Sequence, residues 1–222
     1  MIAEKQVKKT GRVERILVRI LQVLMLIIFA LGLYYGNSGV FVNAGVGLFV
    51  TFLPGILKRR YDFTMNIGIV LWISVAMFLH AFGTLPLPGL DFLSPYKAVW
   101  WWDHMTHALS SSLVAGAAYA VTRALMEYTE YINMPPRFMF AYLLIFVMAF
   151  GVLWELLEFY IGVVSQLAGA EEVLTQYGLD DTVLDLMYNT LGGLLVAIFG
   201  TAHLAGLSDE LLGRMEGESA ER

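Results

Sequence analysis

The chain contains no cysteine. Disulfides, thiolate metal ligands and cysteine nucleophiles are therefore excluded, although the compartment does not follow from that absence. Charge is scarce as well. Asp, Glu, Lys and Arg make up 15% of the 222 residues, 58% are hydrophobic, and the mean hydropathy is +0.67. A soluble domain has about 25% charged and about 45–50% apolar residues, so the composition predicts membrane residence. The basic residues sit in short flanks and the net charge is -5, so no nucleic-acid partner is expected. No internal repeat is evident, and an inverted-repeat transporter gains no direct support.

What is present is a series of long apolar runs. A hydrocarbon core of about 30 Å needs roughly 20 apolar residues per helix. Six segments meet that need, at about 16–35, 38–57, 64–84, 101–124, 138–164 and 182–203. The fold class expected is all-α, a polytopic six-helix transmembrane bundle. Residues 1–204 form a single transmembrane domain and 205–222 a polar cytoplasmic tail. The first run is too long for a signal-peptide core, which favours a retained helix. Of the 14 Lys and Arg residues, all but Lys97 fall on one side if the chain crosses six times. They include Lys5, Lys8, Lys9, Arg12, Arg15 and Arg19 at the start and Lys58, Arg59 and Arg60 after the second run. The positive-inside rule then places both termini in the cytoplasm, in a multi-pass protein of the cell membrane. Trp100, Trp101 and Trp102 read as an interfacial belt, and Glu171, Glu172 and Asp180 as solvated loop charges.

Ionisable residues within membrane spans are costly and are functional candidates by default. Here they concentrate in the last three helices: Asp103, His104 and His107, then Glu155 and Glu158, then Asp181, Asp185 and the amide Asn189. His80 adds a group near the end of the third helix. At about 1.5 Å rise per residue, His107 lies roughly 10 Å below Trp100, and Glu155 roughly 27 Å from Arg137. Helices running in alternating directions thus place their polar groups in the outer third. Asp103 and His107 are four apart, Glu155 and Glu158 three, and Asp181, Asp185 and Asn189 form a row of fours, so each set shares one helical face. The same stripes carry Ser111, Ala115, Gly151, Gly162, Gly192 and Gly193, small residues that let helices approach closely.

Carboxylates confined together need a counter-charge or shared protons. A divalent metal meets that need, and oxygen ligands with imidazole suit magnesium, manganese, iron or zinc. No organic cofactor is indicated. His107, Glu155 and Asp185 are the deepest and form the expected ligand set. Glu158 or Asp103 would act as general base or orienting group, and Asp181, Asn189, His104 and His80 are additional candidates. Simpler roles exist for several. Asp103 and Asp181 stand where a carboxylate caps a helix, His104 can face lipid headgroups, His80 can be a hydrogen-bonded structural histidine, and His203 is interfacial.

The order Asp103-x-x-x-His107, Glu155-x-x-Glu158 and Asp181-Thr182-x-x-Asp185-x-x-x-Asn189-Thr190-Leu191-Gly192 resembles the VanZ-like membrane proteins. More closely, it resembles the related YjdF-type membrane proteins. The likeness covers about residues 100–200. It differs from the VanZ pattern in His104 for lysine and Glu158 for glutamine. The resemblance implies a helical membrane fold with a site in the last three helices.

The leading functional expectation is a metal-dependent membrane enzyme. It would hydrolyse, or transfer a group on, a lipid or lipid-linked substrate at the outer leaflet. There a metal lowers the pKa of bound water and stabilises charge on a substrate oxygen. A proton- or cation-coupled transporter is the alternative, weakened by the lack of a polar row in the inner half beyond Asn43 and Asn66. A third is a non-catalytic module whose cluster is a packing network. Membrane lipids are the expected partners.

Overall fold

The computed structural model describes residues 2–169, 173–174, 176 and 178–220. Glu171 and Glu172, expected to be loop charges, lie outside the described residues, as does the side chain of His203. The elements are helical throughout: α1 (Ile2–Tyr35), α2 (Ser38–Tyr61), α3 (Ile67–Gly83), α4 (Pro95–Ala98), α5 (Trp102–Tyr128), α6 (Pro136–Ala168) and α7 (Leu179–Ala220), with a 3-10 turn at Pro88–Leu90. Among the described residues there is no strand.

The breaks between helices are written locally. Gly36 takes φ +67, a left-handed conformation that costs glycine little. Asn37 then caps α2, its side chain accepting from the Val40 N–H at 2.9 Å. α2 ends in Lys58, Arg59 and Arg60, cations placed where the helix dipole is negative. Asn66 caps α3 by accepting from the Gly68 N–H at 2.8 Å. Pro136 opens α6, where a missing N–H costs nothing.

Several helices outrun the apolar segments that announced them. α1 begins at Ile2, α2 continues through Tyr61, and α7 continues past His203 to Ala220. Hydropathy marks where a segment meets lipid, whereas a helix ends where its hydrogen-bond ladder is capped or broken. Among the described residues, four helical stretches are long and apolar enough to cross a membrane: Gly11–Tyr35, Ser38–Tyr61, Pro136–Ala168 and Leu179–Gly200. α3 has 17 residues. It makes a fifth crossing if taken together with the Pro88–Ala98 stretch, to which it is bent by 62°. α5 is long enough, but it does not reach the same apolarity. Its first half holds His104, Thr106, His107 and three serines. Large apolar side chains face outward on the candidate spans, among them Leu24, Phe49, Leu153 and Leu195. That surface suits hydrocarbon.

The chain packs as two compact units. The first comprises Met1–Thr106 and Glu158–Gln176. In it α1, α2 and α3 pack on one another around buried Met25, Ile28, Val40, Ala44 and Ala81, flanked by Phe29, Met77, Phe78 and Phe82. Polar ties also cross this unit. Gln22 Nε2 donates to the carbonyl and the hydroxyl of Thr51, each at 3.3 Å, and Asn43 Nδ2 donates to the Val173 carbonyl at 2.8 Å. The second unit comprises His107–Leu157 and Tyr177–Arg222, and is built from α5, α6 and α7.

Close approach of α1 and α2 depends on Gly32. A Cβ there would lie 2.6 Å from the backbone nitrogen of Phe41, which cannot move aside, whereas a Cβ at Gly55 would meet nothing within 4 Å. Gly32→Leu is therefore expected to destabilise by about 1–3 kcal/mol, and Gly55→Ala to be nearly neutral. Unfolding by sodium dodecyl sulfate from mixed micelles measures both, and equal stability of the two variants would contradict this packing.

Candidate functional site

Within the second unit, three helices meet at positions without side chains. A Cβ on Gly192 of α7 would collide with the Ala108 carbonyl and the Ser111 hydroxyl of α5. One on Gly193 would press Val147 of α6 at 3.3 Å, and one on Gly151 of α6 would lie 2.7 Å from Asn189 Nδ2 of α7. Small residues allow such approach in lipid, where packing rather than the hydrophobic effect holds helices together. Side-chain hydrogen bonds reinforce it. Thr190 Oγ1 lies 2.7 Å from Met148 Sδ and 2.8 Å from the Leu186 carbonyl, two acceptors for its one proton, and Thr122 Oγ1 donates to Tyr142 Oη at 3.4 Å.

These contacts set the register that brings polar groups together. His107 near the start of α5, Glu155 within α6 and Asp185 in α7 are all buried, at 5%, 5% and 1% exposure. His107 Nε2 lies 3.9 Å from Asp185 Oδ2. A His107 ring nitrogen and a Glu155 carboxylate oxygen lie within 4.8 Å of each other. Thr182 Oγ1 donates to Glu155 Oε2 at 2.9 Å. One turn beyond His107 is buried Ser111, and one turn beyond Asp185 is buried Asn189. An imidazole and two carboxylates buried in apolar helices require a proton or a cation among them. His107 has a ring nitrogen within 4.8 Å of a carboxylate oxygen of Asp185 and, separately, of Glu155, and this donor set suits a divalent ion of borderline or hard character.

The other candidates from the sequence are placed as follows. Asp103 stands in the first turn of α5, one turn before His107, and Glu158 one turn after Glu155 on α6. Asp181 is in the first turn of α7. His104 is buried at 5% exposure, its ring tilted against Trp100 at 6.4 Å, instead of turning outward. His80 belongs to the first unit, where its Nδ1 shares a hydrogen bond with Tyr96 Oη at 2.7 Å. Tyr96 Oη also lies 3.3 Å from Thr106 Oγ1, which donates to the Asp103 carbonyl at 2.8 Å. His80 is therefore hydrogen-bonded within its own unit. Sequence reasoning passed over Tyr96 and Thr106, and quoted Thr182 within the Asp181–Asp185 motif without giving it a role. Thr182 carries a local signal, since it stands three residues before Asp185 and so shares its helical face. Tyr96 carries none.

Several long apolar helices, with a buried His/Asp cluster in the second unit, define a multi-pass, all-helical membrane protein. More particularly, the chain belongs to the family described as "Predicted membrane protein (DUF2238)", which it matches over residues 16–206. It is also 29% identical over 156 residues to an uncharacterised protein of Thermotoga maritima, an alignment covering 66% of this chain and 71% of that one. No solved structure matches the chain.

The Thr182–Glu155 bond ties α7 to α6. Thr182→Val is expected to cost about 0.5–1 kcal/mol, with Thr182→Ser close to wild type because the hydroxyl remains. Detergent unfolding curves of the three proteins test this, and a serine variant as unstable as the valine variant would rule the bond out as the cause.

Proposed function

We propose that this protein is a metal-dependent membrane enzyme acting on a lipid or lipid-linked substrate, with His107, Glu155 and Asp185 as metal ligands. The observation that supports it most is the burial of all three side chains within a single unit. They come from three different helices, with His107 Nε2 3.9 Å from Asp185 Oδ2. Polar residues of this kind are expensive among apolar helices and seldom persist without a task. A divalent ion held there supplies Lewis-acid stabilisation of charge on a substrate oxygen. Glu158, one turn along α6 from Glu155, and Asp103, one turn before His107 on α5, are the carboxylates assigned to proton transfer or to orienting the ligands. Asp181 and Asn189 extend the same row of α7.

The placement in the membrane belongs to this reading. Six crossings, with α3 and α5 included, put both termini in the cytoplasm of a cell-membrane protein and the polar residues toward the outer leaflet, where headgroups are accessible. The likeness of the three motifs to VanZ-like and YjdF-type proteins supports a site in these helices. A second reading is favoured by one observation: Thr182 donates to Glu155 at 2.9 Å, as it would in a polar network that only holds helices together.

Elemental analysis of the detergent-purified protein separates the two. Wild type supplied in turn with zinc, manganese, iron and magnesium is expected to retain stoichiometric amounts of one of them, and His107→Ala, Glu155→Ala and Asp185→Asn to lose it. Folded variants that bind as much metal as wild type, or a wild type that binds none, would overturn the metal site and leave the structural network.

A further inference from the structure

A groove of about 340 Å³ opens in the first unit along α1, α2 and α3. Its polar wall comes from one face of α1, where Arg15, Arg19 and Gln22 follow each other at helical spacing. Apart from Thr51, its remaining walls are apolar and include Val18, Phe52 and Val70. Gly55 leaves one side open, since nothing lies within 4 Å of where its Cβ would be.

Arg15 and Arg19 are exposed, and among the described residues neither has an ion pair or a hydrogen bond. Gln22 is already committed to Thr51. Glu14, the nearest acid in sequence, turns toward Gly68 and does not line the groove. The position of the two arginines makes their lack of a partner informative. Arg15 stands at the edge of the apolar run that begins at about residue 16, and Arg19 one turn inside it. At that depth a guanidinium must snorkel to water or find an anion. Lys58, Arg59 and Arg60 close α2 at the same end of the α1–α2 hairpin and add to the positive field there.

We propose that this groove binds an anionic phospholipid, its phosphate held by Arg15 and Arg19 and one acyl chain laid along Val18, Phe52 and Val70. The guanidinium fork matches a phosphate bidentately. An arginine pair at the rim of an apolar groove presents the two halves of a phospholipid in the right order, and basic pockets between membrane helices are suited to such headgroups. The inference is independent of the proposed metal site, which lies in the other unit.

The test uses the full chain, delipidated in detergent and offered equal phosphatidylglycerol and phosphatidylcholine, with bound lipid counted by native mass spectrometry. Wild type is expected to prefer phosphatidylglycerol by roughly tenfold or more. Arg15→Gln with Arg19→Gln should abolish the preference, while Arg59→Gln with Arg60→Gln, outside the groove, should largely keep it. Gly55→Leu leaves both arginines in place but fills the apolar part, and should lower retention of phosphatidylglycerol. It decides the matter if the double arginine variant does not fold. Equal retention of the two lipids by wild type would overturn the proposal and point to an acidic protein partner. Undiminished retention in Gly55→Leu, or complete displacement of the lipid by millimolar inorganic phosphate, would also overturn it.

Discussion

Helices in hydrocarbon satisfy their own backbone hydrogen bonds, and lipid is as apolar as the side chains it touches. Nothing like the hydrophobic effect then pushes one helix against another, and contact depends on how closely two backbones can approach. In this protein that approach is set by the absence of side chains at particular points. Gly192 lets α7 reach the Ala108 carbonyl of α5, Gly193 receives Val147, and Gly151 receives the Asn189 amide. In the first unit Gly32 does the same for the backbone at Phe41, and Gly47 admits Met25 and Met77. Each of these glycines trades helix propensity for a close crossing.

The polar cluster is a consequence of those crossings. Asp185 lies two turns before Gly192 on α7, and His107 one turn before Ser111 on α5, the residue that Gly192 approaches. Once Gly192 sits against Ala108 and Ser111, the preceding turns of both helices are committed. The imidazole and the carboxylate arrive 3.9 Å apart. Glu155 stands one turn beyond Gly151 on α6, so the Gly151–Asn189 contact fixes its height, and Thr182 ties it to α7 at 2.9 Å. Small residues and charged residues on these helices therefore form one design, in which the first set places the second.

The two units solve the problem of polarity differently. The three-helix core of the first is apolar, with Met25, Ile28 and Val40 at its centre, and its polar groups pair locally: Gln22 with Thr51, His80 with Tyr96. The second keeps a carboxylate, an imidazole and a further carboxylate almost fully buried. Structural networks normally keep such burial to a minimum, because each ion must be compensated.

Much of this was legible in the chain itself. Apolar runs announced helices, the three- and four-residue spacings put Asp185 with Asn189 and Glu155 with Glu158 on common faces, and the caps at Asn37 and Asn66 are made with neighbouring residues. These are local properties, because a helix repeats every few residues and a cap acts within one turn. Helix ends were less legible: α7 runs on to Ala220 because loss of hydropathy does not end a hydrogen-bond ladder. Tertiary structure alone decided which faces meet. The Thr182–Glu155 bond joins residues 27 apart in sequence, Tyr96 reaches His80 from the short α4, and Gly192 selects Ala108 among many possible contacts. A linear sequence states what each helix can present. It does not state the register at which two helices stop sliding past each other, which depends on where the side chains are smallest on both.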